Sequence, residues 1–174
     1  MSWRNSSPDE PPGRGGISPP FAERIEFFEA ILRRGADVRV RVTGRSMAPF
    51  LRDGDIVTLR AVPFSSLRWG DVIFFRNAEG LAVMHRIVRW RRRGGAALVQ
   101  TAGDAAACLD PPVSEGNVLG KVRLVERQRD GLGGRRIDMQ AGRWRAMNSF
   151  LALVSLARAG LRRMRRKLGI VPKS

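Results

Sequence analysis

The stretch Val38-Arg39-Val40-Arg41-Val42 alternates valine with arginine, a period of two that a strand can bury on one face and a helix cannot. Three valines fall on one side of a pleated strand and two arginines on the other. Comparable runs follow at Ile56 to Leu59, Val72 to Phe75, Leu81 to Val88, Ala96 to Thr101 and Val118 to Val125, separated by Gly, Pro, Asp and Asn turn signals. The pattern predicts a mostly β domain over residues 36–128.

A chain of 174 residues has room for one such domain with terminal extensions, at about 100 to 200 residues per domain. Residues 1–20 are dense in Pro, Gly and Ser and carry too little apolar surface to offset the entropy of ordering, so a disordered leader is expected. No apolar core stands within it, which argues against a signal peptide or membrane anchor there. Phe21, Ile25, Phe28, Ile31 and Leu32 recur at helical spacing, with Ser18 as a candidate cap and Gly35 at the exit; they predict an amphipathic helix over residues 21–35. Residues 129–174 read as a linker followed by a basic amphipathic helix.

Lys and Arg number 32 against 16 Asp and Glu, a net charge of +16, so anionic partners come into consideration. Nine of the basic residues lie between Arg143 and the end, with no acidic residue among them. Within that segment Ala146 to Ala157 is uncharged, too short for the roughly 18 to 20 residues of a bilayer span. The helix it predicts lies either on an anionic membrane surface or on its own domain with a solvated arginine face, and the sequence leaves both open. The expected location is cytoplasmic or peripheral to a membrane. Arg89, Arg91, Arg92 and Arg93 interleave with Trp90, a composition suited to phosphate and base contacts. Their place just before Gly94-Gly95 predicts an exposed hairpin instead, and nucleic acid is not an expected partner.

One cysteine, Cys108, and one histidine, His85, exclude an internal disulfide framework and a cysteine- or multi-histidine metal centre. Asp53 and Asp55 supply too few oxygens for a calcium cage. No metal and no cofactor are expected, and Cys108 reads as a small packing residue. In Val42-Thr43-Gly44-Arg45-Ser46-Met47-Ala48-Pro49-Phe50-Leu51-Arg52-Asp53-Gly54-Asp55 a strand ends at Gly44, Ser46 follows in a turn, and Asp53-Gly54-Asp55 leads into the next strand. Such a turn can hold a hydroxyl off the sheet edge where a peptide can approach; by spacing alone, the same serine can simply cap the turn.

Gly44-Arg45-Ser46-Met47-Ala48-Pro49, with Leu51 and Gly54-Asp55 behind it, resembles the nucleophile box shared by type I signal peptidases and LexA-type self-cleaving repressors. Val83-Met84-His85-Arg86-Ile87-Val88 resembles the second box in the histidine form of the endoplasmic-reticulum and archaeal-type signal peptidases, where other members carry lysine. Of the three lysines, Lys167 and Lys173 lie in the basic tail, and Lys121 sits in a stretch that resembles a structural strand of the family. Thr101-Ala102-Gly103-Asp104, with Asp110 six residues beyond Asp104, resembles the family's Gly-Asp box, although Ala105 and Ala106 replace the usual asparagines.

The resemblance covers about residues 38 to 125 and implies a LexA/signal-peptidase-like β domain. It implies Ser46 as nucleophile, His85 as general base, Asp110 as the acid orienting the imidazole and Asp104 as a second acid holding the site's hydrogen bonds. The Ser46 backbone N–H is the expected oxyanion donor; the hydroxyl that some relatives carry two residues earlier is replaced by Gly44. The assignment is chemically coherent: a serine hydroxyl is a weak nucleophile until a base takes its proton, and an imidazole with a free pKa of about 6.5 suits that task. The implied function is a signal-peptidase-like serine endopeptidase that binds an extended protein or peptide as a strand beside its sheet. A LexA-like self-cleaving regulatory protein is the alternative, although about 35 residues with one helix are too few for a helix-turn-helix module. A catalytically inactive peptide-binding module of the same fold is the third reading.

Overall fold

The computed structural model describes residues 21–167 except residues 107, 130 and 131; the expected leader over 1–20 lies outside the described residues. Helix α1 (Phe21–Arg33) buries Ile25 and Leu32, as the helical spacing of its apolar residues predicts. Eight antiparallel strands follow among the described residues: β1 (Val38–Arg41), β2 (Ile56–Arg60), β3 (Val72–Arg76), β4 (Ala82–Arg93), β5 (Ala96–Ala102), β6 (Val113–Ser114), β7 (Val118–Arg129) and β8 (Leu132–Asp138). Their order in the sheet is β1-β2-β7-β3-β4-β5-β6, with β8 paired to β7. Helix α2 (Gly142–Lys167) closes the described chain.

The sheet is organised around β7. Its stretch from Lys121 to Glu126 pairs with β2, while β3 takes Val118 to Lys121 and β8 takes Leu124 to Arg129. Alternation along β3 then feeds two cores. Val72 and Phe74 join Met47, Leu51, Val57 and Val122 beneath α1, whereas Ile73 and Phe75 pack with Phe64, Leu67, Ile87 and Val99 on the other face. A strand buried on both faces carries a continuous apolar run, which is what Val72 to Phe75 shows.

The hairpin expected at Gly94-Gly95, both at positive φ, forms between β4 and β5. Two elements differ in extent from the sequence expectation: β4 runs past Val88 to Arg93, and a further strand follows β7. Strand β8 occupies residues assigned above to a linker, so the sheet does not end at residue 128. Its sequence, Leu-Gly-Gly-Arg-Arg-Ile-Asp, has almost no apolar period; backbone pairing with β7 and the burial of Ile137 hold it instead.

Helix α2 rests against β4 through small and polar side chains. Asn148, Ala152 and Ser155 are buried, with Ala152 packed against Val88 and Ala102. Its backbone comes so close that a Cβ on Gly70, at φ +87°, would lie 2.9 Å from the Asn148 carbonyl carbon. Of the two seats the sequence left open for this helix, one face is therefore on its own domain. No described helix is long and apolar enough to cross a membrane.

Two open backbone edges prepare the site. Strand β1 is terminal in the sheet, and β5 joins β4 only from Arg86 onward, so among the described residues Ala82 to His85 have a strand partner, β3, on one side alone. Both edges line a cleft of about 620 Å³, with Met47, Leu51, Phe74 and, from α1, Phe28 in its walls.

Candidate active site

Ser46 is exposed in the turn after β1, and the cleft reaches it. Gly44 adopts φ +88° and donates its N–H to the Asp53 carboxylate at 2.9 Å. A left-handed residue there favours glycine, which gives a physical reason for the missing hydroxyl two positions before Ser46. Behind the serine, Met47 and Leu51 are buried and linked by a Leu51 N–H to Met47 carbonyl bond of 2.9 Å. Arg127 reaches over from β7, donating to both Asp55 oxygens at 2.6 and 2.9 Å and to the Phe50 carbonyl at 2.7 Å. The hydrogen bond it donates to Asp55, aided by the carboxylate's charge, raises the Arg127 guanidinium above its ordinary value. Asp53 and Asp55 thus fasten the two ends of the serine turn. Among the described residues no acceptor closes on the Ser46 N–H.

His85 lies on β4 opposite Ile73 of β3, with the edge of Phe75 against its ring. Its Nδ1 is 2.7 Å from Asp110 Oδ2. The same oxygen accepts the Thr101 hydroxyl at 2.6 Å, while Asp110 N–H donates to the Thr101 carbonyl at 2.8 Å and Gln100 Nε2 to the Asp110 carbonyl at 3.0 Å. Thr101 is fully buried, so the acid is held at three points. A carboxylate facing Nδ1 favours the tautomer with its proton there, leaving the Nε2 lone pair free.

Gly103 brings the two motifs together. A Cβ built on it would stand 2.6 Å from the Ser46 carbonyl oxygen and 3.2 Å from His85 Nε2, so the backbone of the serine turn and the free ring nitrogen border one glycine-sized space. The Ala105 N–H donates to that Ser46 carbonyl at 2.9 Å. Ser46 and His85, from separate segments, both line the cleft, and Asp110 meets the far nitrogen of the ring.

Asp104, expected as a second acid holding the site's hydrogen bonds, accepts from Arg86 with both oxygens, at 2.7 Å each. Arg86 is completely buried and spends its remaining nitrogen on the Gly70 carbonyl and Asn148 Oδ1, at 2.9 Å each, with its guanidinium over the Phe50 ring. The Asp104 carbonyl in turn accepts from Arg158 of α2 at 3.2 Å. Arg86 therefore joins the strand carrying His85, the loop carrying Gly103, and α2.

Sequence reasoning missed Arg86, Thr101 and Asn148. Arg86 had a visible signal, since it shares strand parity with Met84 and Val88 and puts a charge among apolar positions. Cys108 is a correction: it is exposed rather than packed, with Arg162 3.9 Å from its sulfur. Lys121 is ion-paired with Asp71 at 2.8 Å. Trp90 packs edge-on against Phe64 on the long hairpin.

Residues 16–104, just over half of the chain, match the family model of Peptidase S24-like proteins, and the chain belongs to that family. Its mostly antiparallel sheet with a helix at each end is consistent with that fold. Among curated proteins it is similar to Signal peptidase I W of Bacillus subtilis (strain 168), with 37% identity over 79 residues. That similarity takes in 44% of this chain and 42% of the relative, so the chain spans less than half the length of the protein it matches. Asp110 lies just beyond the family match.

Proposed function

We propose that the chain is a serine endopeptidase of the signal-peptidase kind, with Ser46 as nucleophile, His85 as general base and Asp110 orienting the ring. The observation that carries this reading is the Gly103 space, bordered by the Ser46 backbone and by His85 Nε2 while Asp110 engages Nδ1. Family membership supports a peptidase, and the contacts around Gly103 and His85 support the residue roles.

In this mechanism His85 Nε2 takes the Ser46 hydroxyl proton as the oxygen attacks a substrate carbonyl. The Ser46 N–H faces the negative charge that develops on that carbonyl oxygen. The imidazolium, stabilised by Asp110, passes its proton to the leaving amine, and water then repeats the sequence in reverse to release the acyl group and restore the serine. An extended peptide fits between the open edges of β1 and Ala82 to His85, pairing by backbone. Val40, Val42, Met47, Phe74 and Met84 line this cleft, which favours small or apolar side chains ahead of the cut.

The test incubates the full chain with a library of extended peptides and reads products by mass spectrometry, beside labelling with a serine-directed acylating probe. Cleavage and labelling are expected in the native chain and absent in a folded Ser46→Ala variant. Cleavage retained by that variant would reject Ser46 as the nucleophile. Loss of chain length on standing, at a rate independent of protein concentration, would favour self-cleavage over processing of a separate substrate.

A further inference from the structure

Helix α2 has two faces of opposite character. Asn148, Ala152 and Ser155 are buried against the sheet. On the other side Met147, Phe150, Leu153, Leu161 and Met164 are 44%, 60%, 55%, 55% and 59% exposed. With Ala157 between Leu153 and Leu161, these positions advance by three or four residues and form one stripe along the helix. At about 1.5 Å per residue the stripe runs for about 25 Å. A continuous apolar band of that length calls for a partner, whereas a single exposed leucine does not.

The charges beside the stripe choose among partners. Arg143, Arg145, Arg158 and Arg162 are exposed, and Arg163, Arg165, Arg166 and Lys167 bring the helix to eight basic residues, with no acidic residue after Asp138. A second copy laid stripe to stripe would set two such helices against each other with no countercharge on either. Nucleic acid would meet the arginines and leave the apolar band unused. An anionic bilayer surface satisfies both, taking the apolar side chains at the boundary of headgroups and acyl chains and the arginines at the phosphates. The helix cannot cross, since no described helix is apolar enough over a sufficient length.

We propose that the outer face of α2 docks the domain on an anionic lipid surface, with the helix lying in the plane of the interface and its inner face still seated on β4. This proposal is independent of the peptidase reading and its test needs no substrate. The full chain is sedimented with vesicles of phosphatidylcholine alone and of equal parts phosphatidylcholine and phosphatidylglycerol, at low and high salt. Binding is expected to the anionic vesicles, weakened by salt, and to drop more than about tenfold in the double variant Phe150→Asp with Leu153→Asp. Circular dichroism and thermal melting establish that this variant is folded; should it fail to fold, the exposed Leu161→Asp gives the same readout. The proposal is overturned if neither vesicle is bound, or if the aspartate variants bind anionic vesicles as well as the native chain. It is equally overturned if the native chain is a dimer that those substitutions dissociate.

Discussion

At the scale of single residues the most exacting position is Gly103. A methyl group there would press into the Ser46 carbonyl at 2.6 Å, and that oxygen already accepts the Ala105 N–H, so the serine turn and the Gly103 loop must separate. Gly103→Ala is expected to cost about 1–3 kcal/mol in urea unfolding and to abolish peptide cleavage, whereas full activity in that variant would contradict the close approach. On the proposed peptidase mechanism, Asp110→Asn preserves the shape of the acid but loses its charge, and is expected to lower kcat for peptide cleavage by about four orders of magnitude. As candidates, Ser46, His85 and Asp110 are legible in the sequence because each sits in a recognisable box. Gly103 stood in such a box too, but its role depends on two contacts across the fold that no linear pattern encodes.

At the scale of elements, α2 is joined to the centre of the domain through Arg86. Replacing Asp104 with Asn leaves a fully buried guanidinium without its carboxylate, and removing one partner of a buried pair costs about 3–5 kcal/mol; a urea midpoint close to the native one would refute that account. Gly70→Ala attacks the same seat from its other side, because the added Cβ would meet the Asn148 carbonyl carbon at 2.9 Å and the backbone is left-handed. It should lower the melting temperature as well, with the near-ultraviolet signal of the helix tryptophan, Trp144, as a local reporter. The principal strands were legible from alternation and turn residues because burial on one face leaves a period of two. Strand β3, buried on both sides, was legible only as an apolar run, and β8 was not legible at all, since its two glycines and two arginines depend on β7 for their place. The docked face of α2 was equally hidden: its buried positions are alanine, serine and asparagine, which no hydrophobic count singles out.

For the whole molecule, a net charge of +16 makes self-repulsion a standing cost. Moderate salt screens it over about 10 Å or less, and the melting temperature should rise by about 2–4 °C for each kcal/mol regained; a steady fall with added salt would mean that ion pairs such as Lys121–Asp71 outweigh the repulsion. On the acid side, the Arg60 hydrogen bond, followed by nearby positive charge, holds the Asp37 carboxyl below its usual range despite opposing desolvation. That contribution is present above the ordinary carboxylate range and lost as pH falls through the lowered value, so Asp37→Asn should flatten the acid limb of the stability curve slightly. The seat of α2 carries a further consequence. A helix seated through Asn148, Ala152 and Ser155 and two arginine contacts opens at lower free energy than a strand flanked by two cores. Its amides should therefore exchange with deuterium well before those of β3, in a local opening that leaves the centre of the sheet closed.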